Sequence, residues 1–497
     1  MRIYYFILLA FMLYACGGEP TNSQNSNSVT AVPVISNSDP VSNVSSGIDP
    51  VGPADINITI DDMADGPALL IGFFETEQFR VDSAYLRNGK VRFQQNPGYD
   101  QGFYFVFLPN RSTLQLLLGE DQEFSISTTA GDLTYSTKVE GSIDNELLYD
   151  SQRFQADLNN KVRATDTEIQ SLEEGTAEYE ELIEERKELI ASRQTYLEEL
   201  FAKAPQSFFT SFKSAGQNPD IEKIKANNPG LDEQGQVYVY RQQFWDNVNF
   251  NDQRLLRTPV IFNKLNRYIT ELTPQLPDSI AASTDRLIAK VDNGKHPEYF
   301  KFFVNWVAIQ YQPTKTTLMD SEAVLVHMVQ NYFTNEKAFW SEPAEIQGLQ
   351  QRASEMQASL VGKKGPDVVS TGPDGKTYSI YDMKEPYVIV YMYNPECEHC
   401  QEETPLLKAY HDKNKKMVGV FAIAIDTDDS KWKNYIQKVG LQDFVNVHDP
   451  TNRSIYAKYF VDKTPEMYVL DRDRMIIGKN LKTFQVEQLI NNQEAKR

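Results

Sequence analysis

Cysteine is almost missing from this chain: there are three in 497 residues, at positions 16, 397 and 400. A disulfide framework of the kind that staples small exported domains is therefore excluded. A thiolate zinc site would need four ligands, and no second CxxC or CxxH exists to complete one. Histidine is scarce too, with five residues, and His296, His327 and His411 stand at no metal-ligand spacing. None of the three reads as functional, and neither a metal nor a cofactor is expected. Positive charge is in deficit, with 49 Lys and Arg against 69 Asp and Glu, a net charge of −20 and a pI near 4.8. That balance argues against nucleic acid and against an anionic membrane surface as partners. No run of apolar residues is long enough to span a bilayer.

An apolar run opens the chain in residues 1–16, M-R-I-Y-Y-F-I-L-L-A-F-M-L-Y-A-C. A single Arg precedes a segment too short to cross a membrane, which is the pattern of an export signal. Leu13-Tyr14-Ala15-Cys16 resembles the lipobox at which bacterial lipoproteins are processed. Cys16 would then become the acylated N-terminus, and its lipid chains would be the protein's attachment to the membrane. The alternative is an ordinary cleaved signal with a chance cysteine. Residues 17–55 are rich in Ser, Asn, Val and Pro without periodicity and read as a disordered tether. At roughly 5–6 Å × √n its mean span is about 35 Å.

With Cys16 assigned to lipid, Cys397 and Cys400 are the remaining cysteines, and they form a CxxC. A buried-strand pattern, Pro386-Tyr387-Val388-Ile389-Val390, precedes them, Asn394-Pro395 breaks it, and a polar helical stretch follows. Cys397 should therefore stand at a helix N-terminus, where free N–H groups and the helix dipole stabilise a thiolate. The thiolate attacks disulfides, and Cys400 is spaced to resolve the mixed disulfide. His399 would favour the Cys397 thiolate if protonated, whereas Glu396 and Glu398 oppose it, so the sign of the net effect stays open. Competing readings of the pair are half of a metal clip with His399 and His448, and a structural disulfide whose short loop would constrain the unfolded chain little. Peroxide chemistry wants Thr or Ser three residues before the attacking cysteine, and Asn394 stands there.

The C-terminal segment resembles the TlpA/ResA type of extracytoplasmic thiol–disulfide oxidoreductase, on four motifs in order. They are Gly362-Lys363-Lys364-Gly365-Pro366-Asp367, the turn Asp374-Gly375-Lys376, Cys400-Gln401-Glu402-Glu403-Thr404-Pro405, and Thr464-Pro465 before Glu466-Met467-Tyr468-Val469-Leu470-Asp471. The resemblance implies that Glu403 lies near the cysteines and tunes proton transfer. It also implies that Pro465 is a cis-proline facing the CxxC and, with Thr464, positions substrate backbone. The family usually has Trp immediately before the first cysteine, where this chain has Glu396, and another Trp where it has Tyr393. The rim is thus more acidic than usual.

The fold class expected is multidomain: a small antiparallel β-sandwich, an all-α middle region and a C-terminal α/β thioredoxin fold. Residues 56–142 supply alternating strands and the hairpin signal Asn88-Gly89. Their pattern resembles an uncharacterised N-terminal domain of Bacteroidetes lipoproteins. Residues 143–360 are helical in period, with a break expected at Gly175, and Trp245 and Trp306 read as core. Residues 361–497 alternate strands with helices, and Asp426 and Asp449 read there as caps. The expected function is a lipid-anchored, periplasm-facing thiol–disulfide oxidoreductase of the cell envelope, with the outer membrane preferred over the inner. Its partners would be exported proteins with cysteines or disulfides, and a membrane-linked electron donor or acceptor. The alternative is a binding or assembly lipoprotein in which the redox domain only regulates.

Overall fold

The computed structural model describes residues 49–496, apart from 51, 292, 293, 314, 450–454, 456 and 457. The signal sequence, Cys16 and most of the expected tether lie outside the described residues.

Eight strands come first: β1 (Ala54–Asp61), β2 (Gly66–Phe74), β3 (Glu77–Leu86), β4 (Lys90–Gln95), β5 (Gly102–Phe107), β6 (Thr113–Leu118), β7 (Glu123–Thr129) and β8 (Lys138–Glu140). They form two four-stranded sheets, ordered β4-β1-β7-β8 and β3-β2-β5-β6. Alternate residues of β1 are buried, so Ile56, Ile58 and Ile60 enter a core shared with Leu70, Phe93, Val106 and Leu116. Burying one such side chain stabilises by about 1.5–3 kcal/mol. Asn88 (φ 47°) and Gly89 (φ 71°) make the β3–β4 turn. A Cβ on Gly89 would stand 2.6 Å from the Ile60 carbonyl oxygen, so the position admits only glycine. The sandwich departs from the expected antiparallel pattern at one place, where β1 pairs with β7 in parallel. A parallel pair needs a long crossover, and β2 through β6 supply it.

The middle region is helical throughout its described length. It begins with two long helices, α1 (Ile143–Ile169) and α2 (Ala177–Lys203), capped by Ser142 and Thr176. The chain reverses between them at Gly175 (φ 85°), and the pair is pinned by the Phe154–Tyr196 ring stack at 3.9 Å and the Arg186–Asp166 ion pair at 2.6 Å. Then come α3 (Phe208–Ala215), α4 (Ile221–Asn227), α5 (Glu233–Gln243), α6 (Pro259–Thr270), α7 (Pro277–Ile288), α8 (Pro297–Gln310), α9 (Ser321–Tyr332) and α10 (Pro343–Gln357). Proline opens α6, α7, α8 and α10, where its missing N–H costs no helical bond. The core here is aromatic, with Trp245 against Phe303, Phe250 and Tyr268. Trp245 is buried as expected and Trp306 is half-buried.

The C-terminal part opens with the hairpin β9 (Val369–Thr371) and β10 (Thr377–Ser379). It continues with β11 (Tyr387–Tyr393), α11 (Glu398–Asn414), β12 (Val418–Ile425), α12 (Asp429–Val439), β13 (Val445–Asp449), β14 (Glu466–Leu470), β15 (Ile476–Lys479) and a terminal helix (Thr483–Ala495). The sheet order is β13-β12-β11-β14-β15. β11, β12 and β13 run parallel, and β14 and β15 are antiparallel additions. This is the α/β thioredoxin fold expected. Every residue of β11 and β12 is buried, because both faces of the sheet are covered. Tyr391 and Tyr393 face Cys400 and Leu407 on one side, while Val390 and Met392 face Tyr459 and Tyr468 on the other. Asp428, and not Asp426, caps α12, accepting the Lys431 N–H at 2.8 Å. Asp426 instead turns the chain out of β12 with a left-handed backbone (φ 49°).

Candidate active site

The break after β11 sets the geometry. Asn394 accepts the Glu396 N–H at 2.8 Å through its side chain and bonds the Asp426 carbonyl at 3.0 Å, which fixes the turn between strand and helix. Cys397 is the N-cap of α11, with extended backbone (φ −77°, ψ 122°). It is half-buried, and Cys400, one turn on, is fully buried. Burial raises the Cys397 thiol, but hydrogen bonding to Cys400 and Thr464 outweighs it and holds the thiol below its ordinary value. Burial dominates at Cys400 and pushes that thiol up to about 12. The two sulfurs are thus separated into an accessible thiolate former and an inaccessible thiol.

Across from them runs the loop ahead of β14. The Thr464–Pro465 bond is cis, and the Cys397 thiol donates to the Thr464 carbonyl at 3.4 Å. Glu396 is paired with Lys431, whose ammonium stands 2.8 Å from both carboxylate oxygens. The acidic residue that replaces the usual Trp is therefore largely neutralised by a partner on α12. The His399 side chain is 82% exposed and reaches Glu402 at 3.9 Å. Only its backbone N–H is directed at Cys397. Glu403, one turn beyond Cys400 on α11, is bonded away from the two sulfurs toward Thr483. Its carboxylate accepts the N–H and the hydroxyl of Thr483 at 2.7 and 2.6 Å, tying α11 to the terminal helix.

Three residues with a place at this site were not identified from sequence. Thr404 donates to the Cys400 carbonyl at 2.6 Å, and its hydroxyl also meets that of Tyr391 at 2.7 Å. The Tyr435 hydroxyl reaches the same Cys400 carbonyl at 3.4 Å. Tyr391 stacks on Tyr393 at 5.3 Å, and Tyr393 leans on Tyr435 at 5.6 Å. A floor of phenols therefore lies beneath the buried cysteine. The available signal was the two-residue spacing of Tyr391 and Tyr393, which puts both on one face of a strand. Among the described residues no three His, Cys, Asp or Glu side chains gather as a metal site. None of the described helices is long and apolar enough to cross a membrane.

Comparison with known proteins matches residues 385–476 to a family described as thioredoxin-like. Residues 55–148 match a domain of unknown function, DUF4369. A curated relative, the thiol–disulfide oxidoreductase ResA of Bacillus cereus, is 28% identical over 131 residues, which are 26% of this chain and 74% of that protein. Among solved structures, a domain of a possible thiol–disulfide isomerase from Cytophaga hutchinsonii is 31% identical, with a TM-score of 0.26, covering 28% of this chain and 95% of that one. A thioredoxin-like protein from Bacteroides caccae is 19% identical, with a TM-score of 0.44, over 55% of this chain and 97% of its own.

Proposed function

The C-terminal domain of this chain belongs to the TlpA/ResA-like thiol–disulfide oxidoreductases, and from that premise we propose that Cys397 and Cys400 exchange disulfides with other exported proteins. The observation that carries the reading is the contrast between the half-buried, acidified Cys397 and the sealed Cys400 beside Thr464–Pro465. In the reducing direction the Cys397 thiolate attacks a substrate disulfide, forming a mixed disulfide and releasing one substrate thiolate. Cys400 gives its proton to that thiolate and attacks the Cys397 sulfur. The Cys397–Cys400 disulfide closes and the second substrate thiolate leaves. The substrate gains two electrons and the enzyme loses them, and the reverse sequence donates a disulfide.

Thr464 and Pro465 form the edge along which substrate backbone lies. Glu396 and His399 face the approaching partner from the rim. Glu403 acts by fixing α11 on the terminal helix. Lipid at Cys16 holds the enzyme at the cell envelope, facing the periplasm, where a membrane-linked donor or acceptor resets the couple. The lipobox-like sequence supports that placement.

Cys400→Ala should accumulate mixed disulfides through Cys397, visible on non-reducing gels. A variant that traps none, while wild type cycles with dithiothreitol, would sink the assignment of roles. Acid quench and thiol alkylation in cells reads the direction: a resting dithiol marks a reductase or isomerase, and a resting disulfide marks a donor of disulfides.

A further inference from the structure

The loop that carries Thr464 and Pro465 is held at both ends by side chains of the helical region. Upstream of the proline, Arg352 of α10 pairs with Asp462 at 2.7 Å and lies over the Phe460 ring at 5.3 Å. Downstream, Glu466 is buried and accepts the Asn480 N–H at 3.0 Å. Asn480 in turn donates through its amide nitrogen to both carboxylate oxygens of Glu322 on α9, at 3.0 and 2.9 Å. Beside it the ammonium of Lys479, with no exposed surface, sits 3.4 Å from Glu322 and 3.9 Å from Asp320.

A cluster of three buried carboxylates and one buried amine costs free energy that an apolar contact of the same shape would not. Here it connects α9 to the residue next to Pro465, and Arg352 makes the matching connection two residues before Thr464. Between the two anchors lies the carbonyl that accepts from the Cys397 thiol at 3.4 Å.

Resting on the function proposed above, we infer that the helical region positions the substrate-binding loop, with Arg352 and Glu322 as positioning residues that set how well a disulfide-bearing chain is seated against Cys397. The helices are then part of the enzyme's specificity and not a spacer. A small disulfide that reaches Cys397 without lying along the loop does not sense them, whereas a peptide chain does.

The test uses the full mature chain with two probes: a small aromatic disulfide, and a disulfide-closed peptide long enough to lie along residues 464–466. Arg352→Ala should raise the KM for the peptide about tenfold, with kcat changed less than twofold and the small-disulfide rate unchanged. Arg352→Lys should recover most of the loss. A merely structural role would lower both rates together, in proportion to the fraction unfolded. The charge-swapped pair Arg352→Glu with Asp462→Arg should return the peptide KM toward wild type even where Arg352→Ala folds poorly. An unchanged peptide KM in folded Arg352→Ala, or a swap that fails to restore it, overturns the inference. If wild type turns over neither probe, it is the oxidoreductase reading that fails.

Discussion

The N-terminal sandwich and the C-terminal redox domain both bury polar side chains, and they treat them in opposite ways. In the sandwich, Gln122 bonds the Tyr99 N–H and carbonyl at 2.8 and 2.7 Å, and Asn145, reaching in from α1, does the same for Leu117 of β6 at 2.8 Å each. Both are neutral amides that complete a backbone ladder. In the redox domain the buried groups at Lys479 and Glu466 are ionisable and meet Asp320 at the start of α9, and the Lys479 ammonium and one Asp320 oxygen have no hydrogen-bond partner. A satisfied amide secures a shape, whereas an ionisable cluster with unmet bonding capacity is retained at a cost. The lesson is that the buried amides of Gln122 and Asn145 serve architecture, whereas the buried charges of Lys479 and Glu466 gather next to the active-site loop.

The largest effect belongs to the nucleophile. Cys397→Ala should lower disulfide exchange on the order of 10³-fold or more, measured with either probe, since the attacking sulfur is gone. The melting temperature should hardly move. Conversely, Asn145→Ala should leave exchange unchanged per folded molecule and cost about 3 kcal/mol of stability, because a backbone donor and acceptor lose their partner. Denaturant unfolding followed alongside turnover checks both halves. A loss of turnover in folded Asn145→Ala would break the division between the two regions.

A third test concerns pH. Burial raises Glu466 to about 8 from its ordinary 4.5, against the pull of Lys479. The folded protein therefore keeps a proton that the unfolded chain releases, and stability from this group falls as pH rises from about 4.5 to about 8, then levels. The groups facing it are Lys479, Glu322 and Lys463, with Asp320, itself raised by burial to about 7, beyond Lys479. Glu466→Gln should flatten that slope in melts taken between pH 5 and 8, windows set by those values. An unaltered slope would mean the proton sits elsewhere in the cluster.

The smallest effect is expected at the rim. Lys431→Ala frees Glu396 from its partner and leaves a carboxylate beside the nucleophile, so the Cys397 midpoint should rise by about half a pH unit. Thiolate absorbance against pH measures it, and added salt should shrink the change.

Much of this site was legible because its signals are local. The apolar run of β11, the Asn394-Pro395 break and the two cysteines are contiguous, so strand, turn and helix follow from pattern alone. Asn88-Gly89 announced its hairpin for the same reason. What sequence hid depends on long-range partners. Glu403 reads as a site acid, and only the fold brings Thr483, 80 residues on, to its carboxylate. Nothing local to Glu466 or Lys479 marks them as buried, since a charged residue in a strand is ordinarily solvated. The parallel pairing of β1 with β7 joins segments separated by five other strands, and no local pattern encodes it.

The full burial of Lys479 bears on how this protein can be taken apart. Cutting the chain ahead of residue 361 removes Glu322 and Asp320 and leaves an amine embedded beside Glu466 and the Tyr468 ring, 5.0 Å away. Its new neighbour would be water, entering where α9 had packed. The excised redox domain is therefore a different folding problem from the intact molecule, and a fragment study needs a Lys479→Met background to compare like with like.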